Sequence, residues 1–593
     1  MIYSYSFQIN PNKEDGLFSY VLNALELKKE SVSDFKIRKK SIDARKKPVI
    51  VYNFTVSFKV NDPHLEKKII KRGAKPWDGG KKYAFPNNSD LQGMSDSQGK
   101  SDFQSVSLER KNPVIVGFGP AGLFAAYALA KAGLAPIVLE RGSEMSKRIE
   151  SVNSFHKGGA LNPNCNVQFG EGGAGTFSDG KLNTGVKDKA GRNEAVLRTF
   201  TEFGASLDIT YDGRAHMGTD VIRKVVVNMR EEIKRLGGTI LFDTQFLRPE
   251  IKDGCVTGVY YKNIAETNSS SGQSSLISSD LQNSSDLQNN EPVEKEEFLP
   301  CDALLLAIGH SSRDTYETLY KSGFSMEAKS FAVGFRVLHE ADFINESQYT
   351  RGYKDRYPSL PTAYYKLART TSLNRNVYSF CMCPGGVVVD ASSEEKRLCI
   401  NGMSNKAREK KYSNAAIVLN VGPEDFKNCG YEGTLAGMEY QRLLEEHAYL
   451  LGNGRIPVQF YQSFKINQAD FVKDERFVSM AKEGFEGRAA FANLRTLFTE
   501  NMNEAFLEGM EYFNTCIKGY TDINPLLAGV EARTSAPVRI LRNENFESLT
   551  AKGLYPCGEG AGYAGGIMSA AMDGLKVAEA VIRHLCDDSF FIA

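Results

Sequence analysis

The sequence predicts an α/β protein: a Rossmann-like dinucleotide-binding domain assembled from two distant stretches, interrupted by a mixed α+β domain and preceded by a small α+β domain. Three observations lead there. An apolar strand runs into a glycine-rich turn and a small-residue helix at residues 113–132. A second strand, glycine-rich turn and helix follow at 553–585, and the stretch between mixes strand-like and helical patterns. At 593 residues the chain exceeds what one hydrophobic core supports, so several domains are expected.

The elements follow in chain order. Residues 2–9 alternate, 17–28 have helical character, and 35–42 and 49–60 read as strands, which predicts a small N-terminal domain over 1–82. Between those two strands falls a basic block, Lys36-Ile-Arg-Lys-Lys-Ser-Ile-Asp-Ala-Arg-Lys-Lys47. A solvated hairpin face is its plain reading; a docking patch for an acidic partner, RNA included, is the sharper one. Residues 83–108 are polar, with Ser-Asp-x-Gln recurring from Ser89, Ser95 and Ser101, and the same hexad returns at Ser279 and Ser285 within 266–297. Such stretches bury too little apolar surface to offset their ordering entropy, so a flexible linker and a flexible insertion are expected. The first part of the main domain is assigned to 109–330, a substrate domain to 331–530, and the closing part of the main domain to 531–593.

Composition excludes more than it selects. A formal net charge of +1 with 24% charged residues argues against nucleic acid or membrane as the principal partner. No basic start leads into an apolar block near the N-terminus, and no uncharged apolar run reaches the roughly 18 residues a bilayer requires. A cytoplasmic protein acting on a small molecule is expected. The ten cysteines are scattered, so neither a disulfide scaffold nor a zinc site is proposed, and oligomeric state has no signal.

The chemistry begins at Pro113-Val-Ile-Val-Gly117, which runs into Gly117-Phe-Gly119-Pro120-Ala121-Gly122 and a small-residue helix. Gly117 permits a tight turn, Gly119 lets the backbone approach a pyrophosphate, and Gly122 lets helix and sheet pack closely. The helix start then offers unpaired N–H groups and a positive dipole end to phosphates. A second strand ends in Glu140, 18 residues beyond Gly122, where an acid can accept hydrogen bonds from ribose hydroxyls, with Arg141 beside it. Together these elements predict a Rossmann-like dinucleotide site. Gly170-Glu-Gly-Gly173-Ala-Gly175 spells the same string, but Thr176-Phe-Ser178-Asp-Gly180 follows in place of a small-residue helix, so a second Rossmann turn is rejected there.

The completing segment decides which dinucleotide. It lies far downstream, as Gly553-Leu-Tyr-Pro-Cys-Gly558-Glu559-Gly-Ala-Gly-Tyr-Ala-Gly565-Gly566 followed by a helix from Ile567. That helix start can face the N1 and O2 edge of a flavin, where negative charge gathers on reduction. Between the two stretches, Ala303-Leu-Leu-Leu-Ala-Ile-Gly309-His310 returns the chain to the nucleotide domain. In this order the three segments resemble the glutathione-reductase-type flavoprotein superfamily. Further blocks, at 166–182, 215–220, 379–386 and 529–539, together with Ser41-Ile-Asp-Ala-Arg-Lys-Lys47, are similar to an uncharacterised family of bacterial FAD-dependent dehydrogenases. The resemblance implies a Rossmann-like FAD-binding domain, FAD itself and a redox role, and it supplies no substrate.

Candidate side chains follow. The loop 170–180 is placed against FAD, with Gly173, Thr176, Ser178 and Lys181 as contacts. Arg533 and Arg539 would suit an anionic substrate or the FAD phosphates, with a structural ion pair equally open. His216 is a candidate proton donor, though a structural histidine is the plainer reading, and Asp220 reads as the cap of the helix at 221–236. Cys381 and Cys383 flank Met382 in a strand and so point the same way; buried thiols are the plain reading, a redox pair the sharper. No second Rossmann unit lies between 191 and 553, so NAD(P)H is expected only as a transient electron donor.

Overall fold

The computed structural model describes residues 1–87, 112–264, 296–468 and 475–586. Most of the linker and the insertion expected at 83–108 and 266–297 lies outside the described residues.

Five short strands form one parallel sheet in the order Leu554–Pro556, Leu304–Leu306, Val114–Val116, Ile137–Leu139, Thr239–Leu241. Numbered along the chain, that order is 5-4-1-2-3, and the sequence direction reverses between Val114–Val116 and Leu304–Leu306. Ligands of such sheets bind at that reversal, beyond the carboxyl ends of the strands. The inner strands are apolar on both sides because helices cover one face and an antiparallel sheet, with the helix Arg313–Lys321, covers the other. On one face the helix Pro120–Lys131 is buried from Ala121 to Ala130. Its small residues let the helix Ile567–Cys586 lie close: a Cβ on Gly574 would sit 2.2 Å from the Ala121 carbonyl oxygen.

Between the third and fourth strands runs an antiparallel trio, Thr244–Lys252, Cys255–Asn263 and Glu297–Pro300. The middle region forms a seven-stranded sheet around the long pair Phe331–Glu340 and Tyr412–Val421, with the helices Ala436–Leu451 and Glu500–Cys516 packed on it. Met326–Ala328 and Val538–Ile540 pair antiparallel, which joins the chain's entry to this region with its exit.

The N-terminal sheet, ordered Val32–Asp43, Val51–Val60, Ile2–Ile9, Lys75–Trp77, packs Tyr3, Val56 and Phe58 on the helix Leu17–Leu25. That helix stops short of the expected residue 28 because Glu26 takes a left-handed conformation, φ 51, and caps it. The sheet also buries Ile9, Tyr52 and Phe54 against the middle region. Its basic block is largely committed to local partners. Lys40 pairs with Glu14 at 2.5 Å, Arg38 donates to Ser57 and lies over Trp77, and Lys47 donates to the Ser347 carbonyl. No helix among the described residues is long and apolar enough to cross a membrane.

Candidate functional site

At the sheet's reversal point opens a cleft lined by both glycine-rich turns. The turn after Val114–Val116 forms its floor. Gly117 has φ 96, and a Cβ there would lie 2.4 Å from the Ala307 carbonyl oxygen; one on Gly122 would lie 1.9 Å from the Gly117 carbonyl oxygen. Both positions therefore exclude any side chain. Gly119 differs: its φ is −74, and its nearest neighbour would be the Gly173 Cα at 3.8 Å. With Pro120 opening the helix, the N–H groups of Ala121 and Gly122 have no carbonyl four residues back to receive them.

The downstream glycine-rich turn arrives at the same place. A Cβ on Gly558 would come within 2.7 Å of the Ala121 Cβ, Gly560 packs on the Gly309 backbone, and Glu559 and Ala570 line the cleft. Asp573 holds the turn, accepting from the Gly558 N–H at 2.8 Å and pairing with Arg542. Gly565 and Gly566, ahead of Ile567, face open space. Two helix starts from opposite ends of the main domain thus meet on one cavity.

The loop 170–180 forms a further wall through Gly173, Ala174 and Gly175. Its organiser is a residue the sequence did not mark. Arg148, fully buried on the helix Met145–His156, donates to the carbonyls of Asn166, Val167, Gly170, Glu171 and Gly173 and to the Thr176 hydroxyl. Thr176 is accordingly buried behind the loop and does not face the cleft. Ser178 spends its hydroxyl on the loop itself, donating to Gly175 and accepting from Gly180. Lys181 turns away to Asp179, 3.0 Å distant, and to Cys383. None of these three is among the residues that line the cleft, and each polar group has a partner elsewhere.

Glu140 lines the cleft with both oxygens engaged: Oε2 accepts from Phe118 N–H at 2.8 Å, and Oε1 from Gly142 and Gly170 N–H at 2.9 Å each. It clamps two glycine-rich loops together, whatever else it touches. Arg141 pairs with Asp314 and lies 4.7 Å over the ring of Phe169, another cleft residue. Burial pushes the Glu559 carboxyl up to about 7, while its Oε2 accepts from Gly566 N–H.

The three candidate substrate residues lie elsewhere. Arg533 is buried, forks onto Glu445 at 2.7 Å through two nitrogens, and gives its third to Ser311 and Ser393. With Arg313 on the same carboxylate it forms a buried ion cluster, the structural ion pair that the sequence reading left open. Arg539 pairs with Glu327 across the two-stranded sheet and is not among the residues lining the cleft. His216 meets the Lys406 carbonyl oxygen through Nε2, and burial with Arg408 nearby lowers its pKa to about 4. The ring is therefore neutral at ordinary pH, and His216 is not among the residues that line the cleft. Asp220 is likewise not the cap: Gly218 is, and Asp220 accepts from the Lys406 N–H. Gln168, Phe169, Thr244, Ser311 and Ser312 line the cleft without having been foreseen. Only proximity to Gly309 could have pointed to the serines.

Comparison with known proteins places this geometry. Residues 330–534 match the family described as FAD-dependent protein, C-terminal domain-like, and residues 1–59 match a domain of unknown function. An uncharacterized protein of Clostridium beijerinckii is 42% identical over 568 residues, covering 95% of each chain. Among solved structures, a glycerol-3-phosphate dehydrogenase from Bacillus halodurans complexed with FAD is 10% identical, with a TM-score of 0.34 over 81% of this chain and 66% of that one. An L-proline dehydrogenase from P. horikoshii is 12% identical, with a TM-score of 0.33 over 80% and 94%. A cleft made of backbone N–H groups at two helix starts, with glycines where a Cβ would intrude, fits a dinucleotide carrying phosphates. The cofactor is FAD, and the chain belongs to the same family as the clostridial protein.

Proposed function

We propose that the protein is an oxidoreductase that moves a hydride or two electrons between its flavin and a small molecule held by the middle region. The observation that carries this reading is the meeting of two glycine-rich helix starts, one at Pro120 and one at Ile567, on a single cleft. FAD supplies two-electron chemistry at its flavin ring.

The chain's own residues supply position and charge. Ala121 and Gly122 donate N–H groups to the pyrophosphate, with Gly117 and Gly119 keeping the approach clear of side chains. Glu140, beyond its three backbone partners, keeps lone pairs for a ribose hydroxyl, and Arg141 borders the same end. Gly173 and Gly309 wall the flat portion. Gly558, Gly565 and Gly566 would let the backbone of the second turn come close, and the start of Ile567–Cys586 would offer its positive dipole end to the flavin's anionic edge. Glu559, poised near neutrality, can hold or release a proton at its carboxyl oxygens. NAD(P)H enters this reading as a donor that docks transiently.

The test is direct. Purified protein should carry a flavin visible spectrum that bleaches anaerobically with NADH, NADPH or a member of a metabolite panel. A colourless protein that stays empty when offered FAD overturns the reading.

A further inference from the structure

The strand Asn376–Cys383 does not run regularly. Its pairing with Tyr412–Val421 slips between Phe380 and Cys383, and Cys381 sits at φ 42. A bulge of this kind re-aims side chains, and a non-glycine residue in that left-handed conformation is strained. It brings Cys383 Sγ to the backbone of Cys381, and each thiol shifts the titration of the other, Cys381 down and Cys383 up. Cys381 is half-buried, whereas Cys383 is fully buried with its Sγ 3.5 Å from the Cys381 carbonyl oxygen.

Cations and one unpaired donor surround the pair. Lys181 Nζ lies 4.0 Å from Cys383 Sγ. Arg336, fully buried, forks onto Glu531 at 2.8 and 3.1 Å and donates to the Cys381 carbonyl oxygen at 3.1 Å. Asn414, opposite Cys383 in the ladder, accepts from Arg336 through Oδ1, while its Nδ2 is buried without a partner. An unmet buried amide donor is costly, so an acceptor such as a thiolate would be stabilised beside it. The Cys383 hydrogen bond, then Lys181 and Arg336, hold the Cys381 thiol below its ordinary range, and Cys383 is pushed up. An accessible thiolate backed by a buried thiol is the order that thiol–disulfide chemistry uses. Lys181 comes shortly after the turn Gly173–Phe177, part of which walls the cleft, while its own ammonium points to Asp179 and Cys383.

We propose that Cys381 and Cys383 form a redox-active dithiol that cycles with an internal disulfide and exchanges two electrons with the bound flavin. This rests on the oxidoreductase reading above. In the reducing direction the S–S bond breaks. Cys383 takes up one proton as a thiol and Cys381 emerges as a thiolate beside Lys181; the two electrons and the proton would come from the reduced, anionic flavin, which would be left oxidised. The reverse direction forms the S–S bond, and the proton from Cys383 and both electrons return to the flavin.

The experiment uses the full-length holoprotein in two arms. In the first, protein poised in dithiothreitol redox buffers is alkylated and digested for mass spectrometry. The peptide bearing both cysteines should lose two hydrogens as the buffer becomes oxidising; full alkylation of both thiols at every poise overturns the proposal. In the second, anaerobic reductive titration should consume twice the electrons that the flavin alone takes, and Cys383→Ser, or Cys381→Ser should that variant fail to fold, should lose the excess. Equal electron uptake in wild type and variant also overturns it. Absence of the flavin band would instead sink the oxidoreductase reading, and the mass arm would still decide whether the disulfide forms. Lys181→Met should slow iodoacetamide labelling of Cys381 at pH 6.5 about tenfold, the effect of moving a thiol by one pKa unit; an unchanged rate removes Lys181 from the couple.

Discussion

Two stretches of this chain spell the same glycine string and are built in opposite ways. At 117–122 the string opens a helix whose backbone N–H groups face the cleft, and the space is cleared by Gly117 and Gly122. At 170–175 it opens only a short 3-10 turn, Gly173–Phe177, whose carbonyls point inward onto one buried guanidinium. The first presents donors to a ligand; the second hides its acceptors around Arg148. What separates them is the following sequence: small helix-forming residues in one case, Thr-Phe-Ser-Asp-Gly in the other. Glu140 joins the two, accepting from Phe118 in the first and Gly170 in the second.

The sharpest way to break that contrast is to remove the hub of the second loop. Arg148→Met leaves five carbonyls and a hydroxyl buried without their donor. A cost of about 3–5 kcal/mol is expected, as for breaking a buried charge network. Urea unfolding should show it, and a loss below about 1 kcal/mol would mean that the loop is held by other contacts. Next comes the first turn. Gly122→Ala forces a methyl to 1.9 Å from the Gly117 carbonyl oxygen, so the turn must open, at about 3 kcal/mol and with loss of the flavin band. Glu140→Gln is milder: an amide can satisfy one side of the clamp but turns its NH2 toward an N–H on the other. A loss of about 1.5–3 kcal/mol is expected, seen as a lowered urea midpoint for both the apo and the loaded protein. If only the loaded protein changes, Glu140 acts on the ribose and not as a clamp.

The same contrast explains what was legible in advance. The Rossmann-like turn, its strands and the closing helix could be read because backbone geometry forces particular residues there: glycine where a Cβ meets a carbonyl, small residues where helices touch. Gly173 of the wall loop lines the cleft, as the sequence predicts, whereas the loop's polar side chains do not. Thr176 and Ser178 look like donors in a glycine-rich string, and nothing local reveals that an arginine some thirty residues upstream occupies one and that the loop's own backbone occupies the other. Arg533 misled for a related reason. Its partner Glu445 comes from the middle-region helix Ala436–Leu451, a long-range pairing without local signature. The bulge at Cys381 was also invisible, since regular alternation would place both thiols on one face without the slip that the ladder shows.

A smaller effect probes the ligand-facing side alone. Gly119→Ala adds a methyl with no backbone clash, at φ −74 and with its nearest neighbour 3.8 Å away, so the fold should be retained. The methyl nevertheless enters space lining the cleft. FAD affinity should fall about tenfold, which corresponds to about 1.4 kcal/mol. Unfolding of the apo protein should match wild type, and an equal drop in apo stability would show that Gly119 is needed for folding, like Gly122.

The smallest effect falls on the far edge of the second loop, where Lys181 bridges to His216. Because the folded protein holds His216 at about 4 instead of its ordinary 6.5, the unfolded chain takes up a proton through that window and the folded one does not. Stability from this group is therefore complete above pH 6.5 and lost as pH falls toward 4, at under about 1.4 kcal/mol per pH unit for a half-buried ring. His216→Gln keeps a donor for the Lys406 carbonyl but cannot titrate. The gap between urea midpoints at pH 7 and pH 5 should narrow in this variant, while the Gly117–Gly122 turn, remote from the histidine, keeps its amide-exchange protection at both pH values. If the gap is the same in wild type and variant, the acid sensitivity of the protein lies with other groups, and the second loop gains nothing from a neutral imidazole at its border.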